Sequence, residues 1–276
     1  MTNSGSHLPL SGLLSHAQTF GDEAQGILNT DWVLEMRRAN ATAAASIPGY
    51  NVAVKYPGER SGNWTVSISV SSDILGKDNA SGCFVTGTQI DLTATQGLSG
   101  SADPSWFICR SVYSSSRLKS SDPASGQGNC SGLLSDDCWS VLQESLQAGT
   151  QCQNNTLPPV CVDELGLSDG EAFGLTSANS STSLQMRLGN ESHQRGNFTA
   201  YDKAIRQIWV VITGFAETGR VDGHPRGAVG QPGNVACIQV NEIQQGSRTF
   251  ENTADTALLS RMIIWVSSMV ATTLVY

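Results

Sequence analysis

The chain has 276 residues, of which 16 are Lys or Arg and 24 are Asp or Glu, so that 14% are charged, against about 25% in an average soluble domain. A net charge of −8 with so few basic residues excludes a nucleic-acid surface, which needs clustered Lys and Arg to displace counterions. An apolar content of 39% with six Trp excludes a wholly disordered chain, and the length allows one large or two small domains with a real core.

Residues 1–30 lack both the basic start and the apolar core of about 7–15 residues that make a secretory leader; Pro9 and several Ser interrupt them. Residues 1–29 are therefore expected to be a poorly ordered segment. Trp32, Val33, Met36 and Ala39 recur at helical spacing, with Thr30 placed to cap, and predict a short amphipathic helix. Beyond the break at Ile47-Pro48-Gly49 the period changes to two. Tyr50, Val52, Val54 and Tyr56 alternate with Asn51, Ala53 and Lys55; after PGERSGN, Trp64, Val66, Ile68 and Val70 alternate with hydroxyl residues. Two such runs around a turn predict an antiparallel hairpin with one wet face. Further strands are expected over 89–94, 106–113, 205–213 and 235–240, with 205–213 apolar enough to be buried on both faces.

Between these strands lies a helical, cysteine-bearing stretch. Ser135-Asp136-Asp137 precedes CWSVLQESL, in which Cys138, Val141, Leu142 and Leu146 share one face, and acids in a first turn suit the helix dipole. A second short helix is expected from Pro158-Pro159 to Gly166. Residues 168–200, with few large apolar groups, read as an exposed loop region. Strands, then helices, then strands give a mainly β fold: an antiparallel, sandwich-like sheet with a few short α-helices and a disulfide-stapled helical insert.

The missing charge is replaced by hydroxyls, 35 Ser and 21 Thr. Among them stand eight N-x-[ST] acceptor sites for N-glycosylation, at Asn40, Asn63, Asn79, Asn129, Asn154, Asn179, Asn190 and Asn197. Fifteen Asn at this hydroxyl content would give about three by chance. Seven cysteines, without a C-x-x-C pair and with four scattered His, do not make a zinc pattern. In an oxidising compartment they are expected to form disulfides among Cys109, Cys130, Cys138, Cys152, Cys161 and Cys237. Cys130 with Cys138 and Cys152 with Cys161 are plausible local staples, and Cys109 with Cys237 a long-range tie. Cys83, in a Gly/Ser loop, is expected to be left over.

Residues 262–276 carry no charge and follow Arg261. Fifteen residues are short for a membrane-spanning helix, which needs about 20, and suit the removable tail of a glycosylphosphatidylinositol (GPI) signal. Asn252-Thr253-Ala254 or Gly246-Ser247 could serve as the attachment site. A tail-anchoring helix and a terminal core strand remain open alternatives.

The succession PGYNVAVKYPG, NWTVSISV, SWFICRSVYSSSRL, CSGLLSDDCWSVLQESL, LPPVCVDELG and AYDKAIRQIWVV resembles a group of secreted fungal glycoproteins. The resemblance covers roughly residues 30–240 and implies a leader, one cysteine-stapled ectodomain and often a GPI-type tail. It implies a surface or cell-wall location and carries over no catalytic residue. The expected organisation is an N-terminal segment over 1–29, a single glycosylated ectodomain over 30–245, and a spacer with an apolar tail over 246–276. The absence of a leader from the sequence given leads us to expect a start further upstream.

Motifs with catalytic potential are weak. Gly166-Leu167-Ser168-Asp169-Gly170 fits the nucleophile elbow G-x-S-x-G, yet it follows a predicted helix where the elbow needs a strand; Asp222 and His224 lie downstream in one loop. Asp136/Asp137 and Asp163/Glu164 are carboxylate pairs, but sequence neighbours cannot straddle a glycosidic bond. Trp32, Trp64, Trp139 and Trp209 sit on apolar faces, leaving Trp106 as the least constrained platform for stacking on sugar. No catalytic, cofactor-binding or metal-binding residue is assigned, and no cofactor is expected. The expected function is that of a non-enzymatic extracellular glycoprotein, structural, adhesive or ligand-binding, meeting cell-wall polysaccharide or surface proteins and touching membrane only through its tail. The alternative is a secreted glycosidase or esterase.

Overall fold

The computed structural model describes residues 17–20, 27–76, 82–94, 102–115, 118, 128–149, 152, 157–165, 173–176, 183–190, 192–221, 224–227 and 230–250. In chain order its elements begin with β1 (Ala17–Phe20), α1 (Asn29–Met36), β2 (Ala41–Tyr50), β3 (Arg60–Leu75), β4 (Cys83–Ala94) and β5 (Trp106–Ser115). Next come α2 (Asp136–Ala148), α3 (Pro159–Leu165), β6 (Phe173–Thr176), β7 (Ser183–Gly189), β8 (His193–Gln194) and α4 (Thr199–Ala204). The last are β9 (Ile208–Val221), β10 (His224–Gly227), β11 (Gln231–Ile238) and β12 (Glu242–Ile243). Seven strands form one sheet in the order β1-β7-β4-β3-β2-β12, with β8 on β4; five form the second in the order β10-β9-β5-β6, with β11 on β9. Among the described residues, β1 runs parallel to β7 and the other strand pairings are antiparallel. The fold is mainly β with short helices, as expected.

The period-two pattern of β3 does what it predicts. Trp64, Val66, Ile68 and Val70 are buried between the sheets and Thr65, Ser67 and Ser69 point the other way. The partner strand is displaced from its expected place. β2 is ATAAASIPGY, and residues 51–59 form the turn that follows it. Alanine has a low strand preference, which hides this element in the sequence. Its small Ala41, Ala43 and Ala45 nevertheless face the core opposite Val70, Ile68 and Val66. Across the core the second sheet contributes Trp106, Ile108 and Val112 from β5 and Trp209, Val211 and Phe215 from β9.

Other boundaries shift as well. α1 starts after Leu28 with no side-chain cap, so Thr30 lies inside the helix; Trp32 and Met36 are its buried residues. The expected loop region over 168–200 contains β6, β7 and β8. β7 sits between β1 and β4, where its Met186 is fully buried. Gln185 and Arg187, alternating with Met186 along that strand, lower its apolar content without preventing pairing. Within the N-terminal segment, Ala17–Phe20 forms β1 in register with Leu184–Arg187. Residues 251–276, and with them the apolar tail, lie outside the described residues. No helix among the described residues is long and apolar enough to cross a membrane.

The helical insert covers the outer face of the second sheet. Ser135 caps α2 by accepting from the Cys138 backbone N–H at 3.3 Å, and Gly149, at φ 65°, ends it in the left-handed conformation that glycine tolerates. Leu142 and Leu146 from α2 and Leu165 from α3 pack on Ile208, Val210 and Val235. Val141, expected on the same helical face, is 41% exposed.

Three disulfides fasten this layer, and they use the six cysteines expected: Cys109–Cys152, Cys130–Cys237 and Cys138–Cys161. The partners differ from the expected staples. Cys109 on β5 and Cys237 on β11 flank β9, opposite Gly214 and Val210 respectively. Two inter-strand steps separate them by about 9–10 Å before that offset along the strand is added, beyond the Cα reach of about 7 Å for a disulfide. Each therefore bonds to the insert instead. Cys138 and Cys161 meet where α2 packs on α3, with a Cα separation of 5.0 Å. Cys83 begins β4, opposite Gln194, and takes part in none of the three bonds.

Candidate functional site

A cleft of about 480 Å³ opens beside β8 and α4, lined by Asn190, Ser192, His193, Asn197, Thr199, Ala200 and Lys203. Its volume falls within the range of about 300–1,000 Å³ typical of small-ligand sites. Among the described residues the lining is polar, with Ala200 its one purely aliphatic side chain, and Asn190 and Asn197 are glycan acceptors by motif.

At the back of the cleft, β8 is clasped to the first sheet through His193. Its Nε2 lies 3.2 Å from Thr86 Oγ1, its Nδ1 lies 3.0 Å from the Gln194 carbonyl, and Asp73 Oδ1 is 3.8 Å from Nδ1. A carbonyl oxygen only accepts, so Nδ1 carries a proton. Carboxylate, imidazole and hydroxyl stand in the order of a nucleophilic triad. The chemistry fails at the hydroxyl: Thr86 is fully buried and donates to the Ser72 carbonyl at 3.1 Å. A substrate carbonyl cannot reach it, and the group acts as a structural clasp.

The candidates for carbohydrate chemistry resolve in the same way. Trp32, Trp64, Trp106 and Trp209 are each at most 4% exposed. Trp106 packs edge-on against Tyr56 and donates Nε1–H to the Val54 carbonyl at 2.7 Å. It is a core residue, so the stacking platform suggested by its place at a strand start is corrected. Trp139 packs against the layer of α2 and α3. Glu164 accepts from both the backbone N–H and the hydroxyl of Ser135 at 2.6 Å, which ties α3 to the start of α2. Asp136 and Asp137 occupy the first turn of α2, where acids stabilise the helix. Ser168 and Asp222 lie outside the described residues, and His224 lies in β10. Among the described residues no cluster of His, Cys, Asp or Glu could hold a metal ion.

Two polar features were invisible in the sequence. Beneath α1, the Asp91 carboxylate accepts from Gln89 Nε2 at 2.8 Å and Gln185 Nε2 at 2.9 Å. Trp32 Nε1 donates to Gln89 Oε1 at 2.7 Å, and Arg187 donates to Gln185 Oε1 and to Asn29 Oδ1. Burial lowers the pKa of Arg187, and the Asp91 charge opposes that shift. The second feature is Arg110, 1% exposed, whose Nη1 donates to the Ile90 carbonyl at 3.3 Å. Burial lowers its pKa to about 10, opposed by Asp91. Both are paired to the fold around them, through the Ile90 carbonyl for Arg110 and through Gln185 and Asn29 for Arg187, and read as structural.

The acceptor asparagines are sorted by their surroundings. Asn40 is half-buried and committed: its Nδ2 donates to Ser247 Oγ at 3.0 Å and its Oδ1 accepts from the Ser72 N–H at 2.8 Å. Asn129 is exposed, with Oδ1 accepting from the Ser131 N–H at 2.9 Å. Asn197 is exposed, and its Oδ1 accepts from both the N–H and the hydroxyl of Thr199, at 3.2 and 2.9 Å. Asn190, also part of the lining, is half-buried, its backbone N–H donating to the Thr86 carbonyl at 3.0 Å. Asn63 lies in β3, while Asn79, Asn154 and Asn179 lie outside the described residues.

Compared with family models, curated proteins and solved structures, the chain matches none of them.

Proposed function

We propose that this is a non-enzymatic extracellular glycoprotein, held at a cell surface or wall and acting in structure, adhesion or ligand binding. The observation that carries the reading is the disulfide set: of three bonds, each with both cysteines at most 6% exposed, two fasten the helical layer to one sheet and the third joins its two helices. Such bonds form and persist in oxidising compartments and are rare in the cytosol. The exposed acceptor sites at Asn129 and Asn197 support the glycoprotein part, and the low charge suits a surface solvated by sugars. The resemblance to secreted fungal glycoproteins and the apolar sequence over 262–276 support attachment through a GPI-type tail. A secreted hydrolase gains no support from the cleft, whose imidazole faces a buried threonine and whose lining, among the described residues, has no carboxylate pair.

Expression of the whole chain behind an added secretory leader in a eukaryotic host tests this. The expected product loses mass on enzymatic deglycosylation, yields the three cross-linked peptides in a non-reducing map, and leaves the cell surface on phospholipase treatment. An unglycosylated product with reduced thiols overturns the reading; a disulfide-bonded glycoprotein insensitive to phospholipase overturns the GPI attachment alone.

A further inference from the structure

We propose that the cleft beside β8 and α4 is the seat of the proximal N-acetylhexosamine residues of a glycan carried by Asn197. The proposal rests on the glycoprotein reading above and adds to it a site on the protein where sugar is held against the fold. Three observations carry it.

The first is the state of the Asn197 amide. Its oxygen is held by the N–H and hydroxyl of Thr199, while Nδ2, the atom that would bear the sugar, makes none of these bonds. At Asn40 the equivalent nitrogen is spent on Ser247. The second is position. Asn197 is exposed and is itself part of the cleft lining, so a sugar on its nitrogen begins at the cleft rather than out in solvent.

The third is the chemistry of the walls. Ser192 and Thr199 offer hydroxyls, Asn190 a carboxamide and Lys203 three N–H donors, suited to the hydroxyl and acetamido groups of such a sugar. Ala200 offers a small apolar patch for an acetamido methyl. Binding groups already tethered at the site avoids most of the entropy of association, so modest contacts are sufficient to hold them.

Attachment itself is a transfer onto the amide. A lipid-diphosphate-linked oligosaccharide supplies the reducing-end C1. The C1–O bond to the diphosphate breaks, a C1–Nδ2 bond forms, the lipid diphosphate leaves, and the amide proton passes to the transferase's base. No oxidation or reduction is involved.

The test uses the full chain, secreted from a eukaryotic host, with site-resolved mass spectrometry. Asn197 is expected to be occupied. In the native protein an amidase that cleaves the Asn–sugar bond should release its glycan at least tenfold more slowly than after denaturation, while sites outside the cleft show a smaller ratio. Ala200→Trp, which fills the cleft, should leave Asn197 occupied and abolish the difference. An unoccupied Asn197 beside other occupied sites overturns the seat and leaves the glycoprotein reading intact, as do native and denatured release rates that are equal at Asn197. A chain with no glycan at any site overturns both.

Discussion

Cys109 and Cys237 stand on the outer face of the same sheet, one on each flank of β9, and bond to Cys152 and Cys130 rather than to each other. The sheet thus receives a covalent tie on either side of its central strand, and both ties lead into the helical layer.

The two ties from the insert to itself and to β11 should differ in strength. Cys130 and Cys237 are 107 residues apart and Cys138 and Cys161 only 23. By loop-closure entropy the first is worth about 4–5 kcal/mol and the second about 3 kcal/mol. Chemical denaturation of the Cys130→Ala/Cys237→Ala and Cys138→Ala/Cys161→Ala proteins should show losses in that order. Equal losses, or the reverse order, would contradict the constraint on the unfolded chain as the main effect.

Arg110 places a guanidinium inside the core between the sheets. Arg110→Met keeps most of the side-chain volume and removes the cost of burying charge, so stability should change by no more than about 1 kcal/mol or rise. Arg110→Ala leaves a cavity as well and should cost about 2–4 kcal/mol. Denaturant titration of the two variants separates the contributions. A Met variant as damaged as the Ala variant would mean that the charge itself holds the core together.

Alkaline pH should weaken the fold through its tyrosines. Burial, then the neighbouring Asp202 charge, raises the pKa of Tyr201 from 10.0 to about 12. Burial also raises Tyr50 and Tyr113. The unfolded chain loses these protons near pH 10 while the folded one retains them, so the unfolded state binds fewer protons and stability falls as pH rises from 10 to about 12. Arg110 acts in the opposite sense, since its lowered pKa of about 10 lets the folded state shed a proton first. Arg187, whose pKa burial also lowers, acts in the same sense as Arg110, and the three tyrosines supply the downward part of the slope. Tyr201→Phe should flatten the slope across this window; an unchanged slope would remove Tyr201 from the account.

The acceptor sites should respond unequally to mutation. Asn40 bridges Ser72 and Ser247 and brings the segment after β12 against the start of β2. Asn40→Ala should therefore cost about 1–2 kcal/mol in thermal or chemical denaturation. Asn129→Ala, at an exposed loop position, should cost only a few tenths as long as no glycan is attached. Comparable losses in unglycosylated protein would show that the Asn40 bonds contribute little.

How much of this was legible in the sequence depends on how each residue signals its place. The strands around Trp64, Trp106 and Ile208 announce themselves through large or β-branched residues at period two or in unbroken runs. β2 does not, because Ala41, Ala43 and Ala45 carry almost no hydrophobic signal and acquire their role from the bulky row of β3 opposite. β7 hides for the converse reason: Arg187 looks like a solvent-facing residue, and only the cover provided by Asn29 and Trp32 makes it interior. Disulfide partners depend on strand order, which no local pattern encodes. The cleft joins residues from the link between β7 and β8, from β8, from α4 and from the turn between these two, and its walls are ordinary polar side chains until the fold gathers them.

The Cys130–Cys237 bond has a mechanical meaning. Tension applied between the two ends of the chain passes along the N-terminal part to Cys130, crosses the disulfide, and continues from Cys237. The 107-residue loop between them, with both insert helices, β7, β9 and the cleft, lies off that load path. A protein tethered at its C-terminal side and pulled from the other would load the strands and helices inside the loop only through their noncovalent contacts with the rest of the fold. At that end the first contacts to be loaded are Arg206 on the Phe250 carbonyl and the two bonds from Arg248 to Asp202. These are short-range clasps that can open and re-form without disturbing what the disulfide shields.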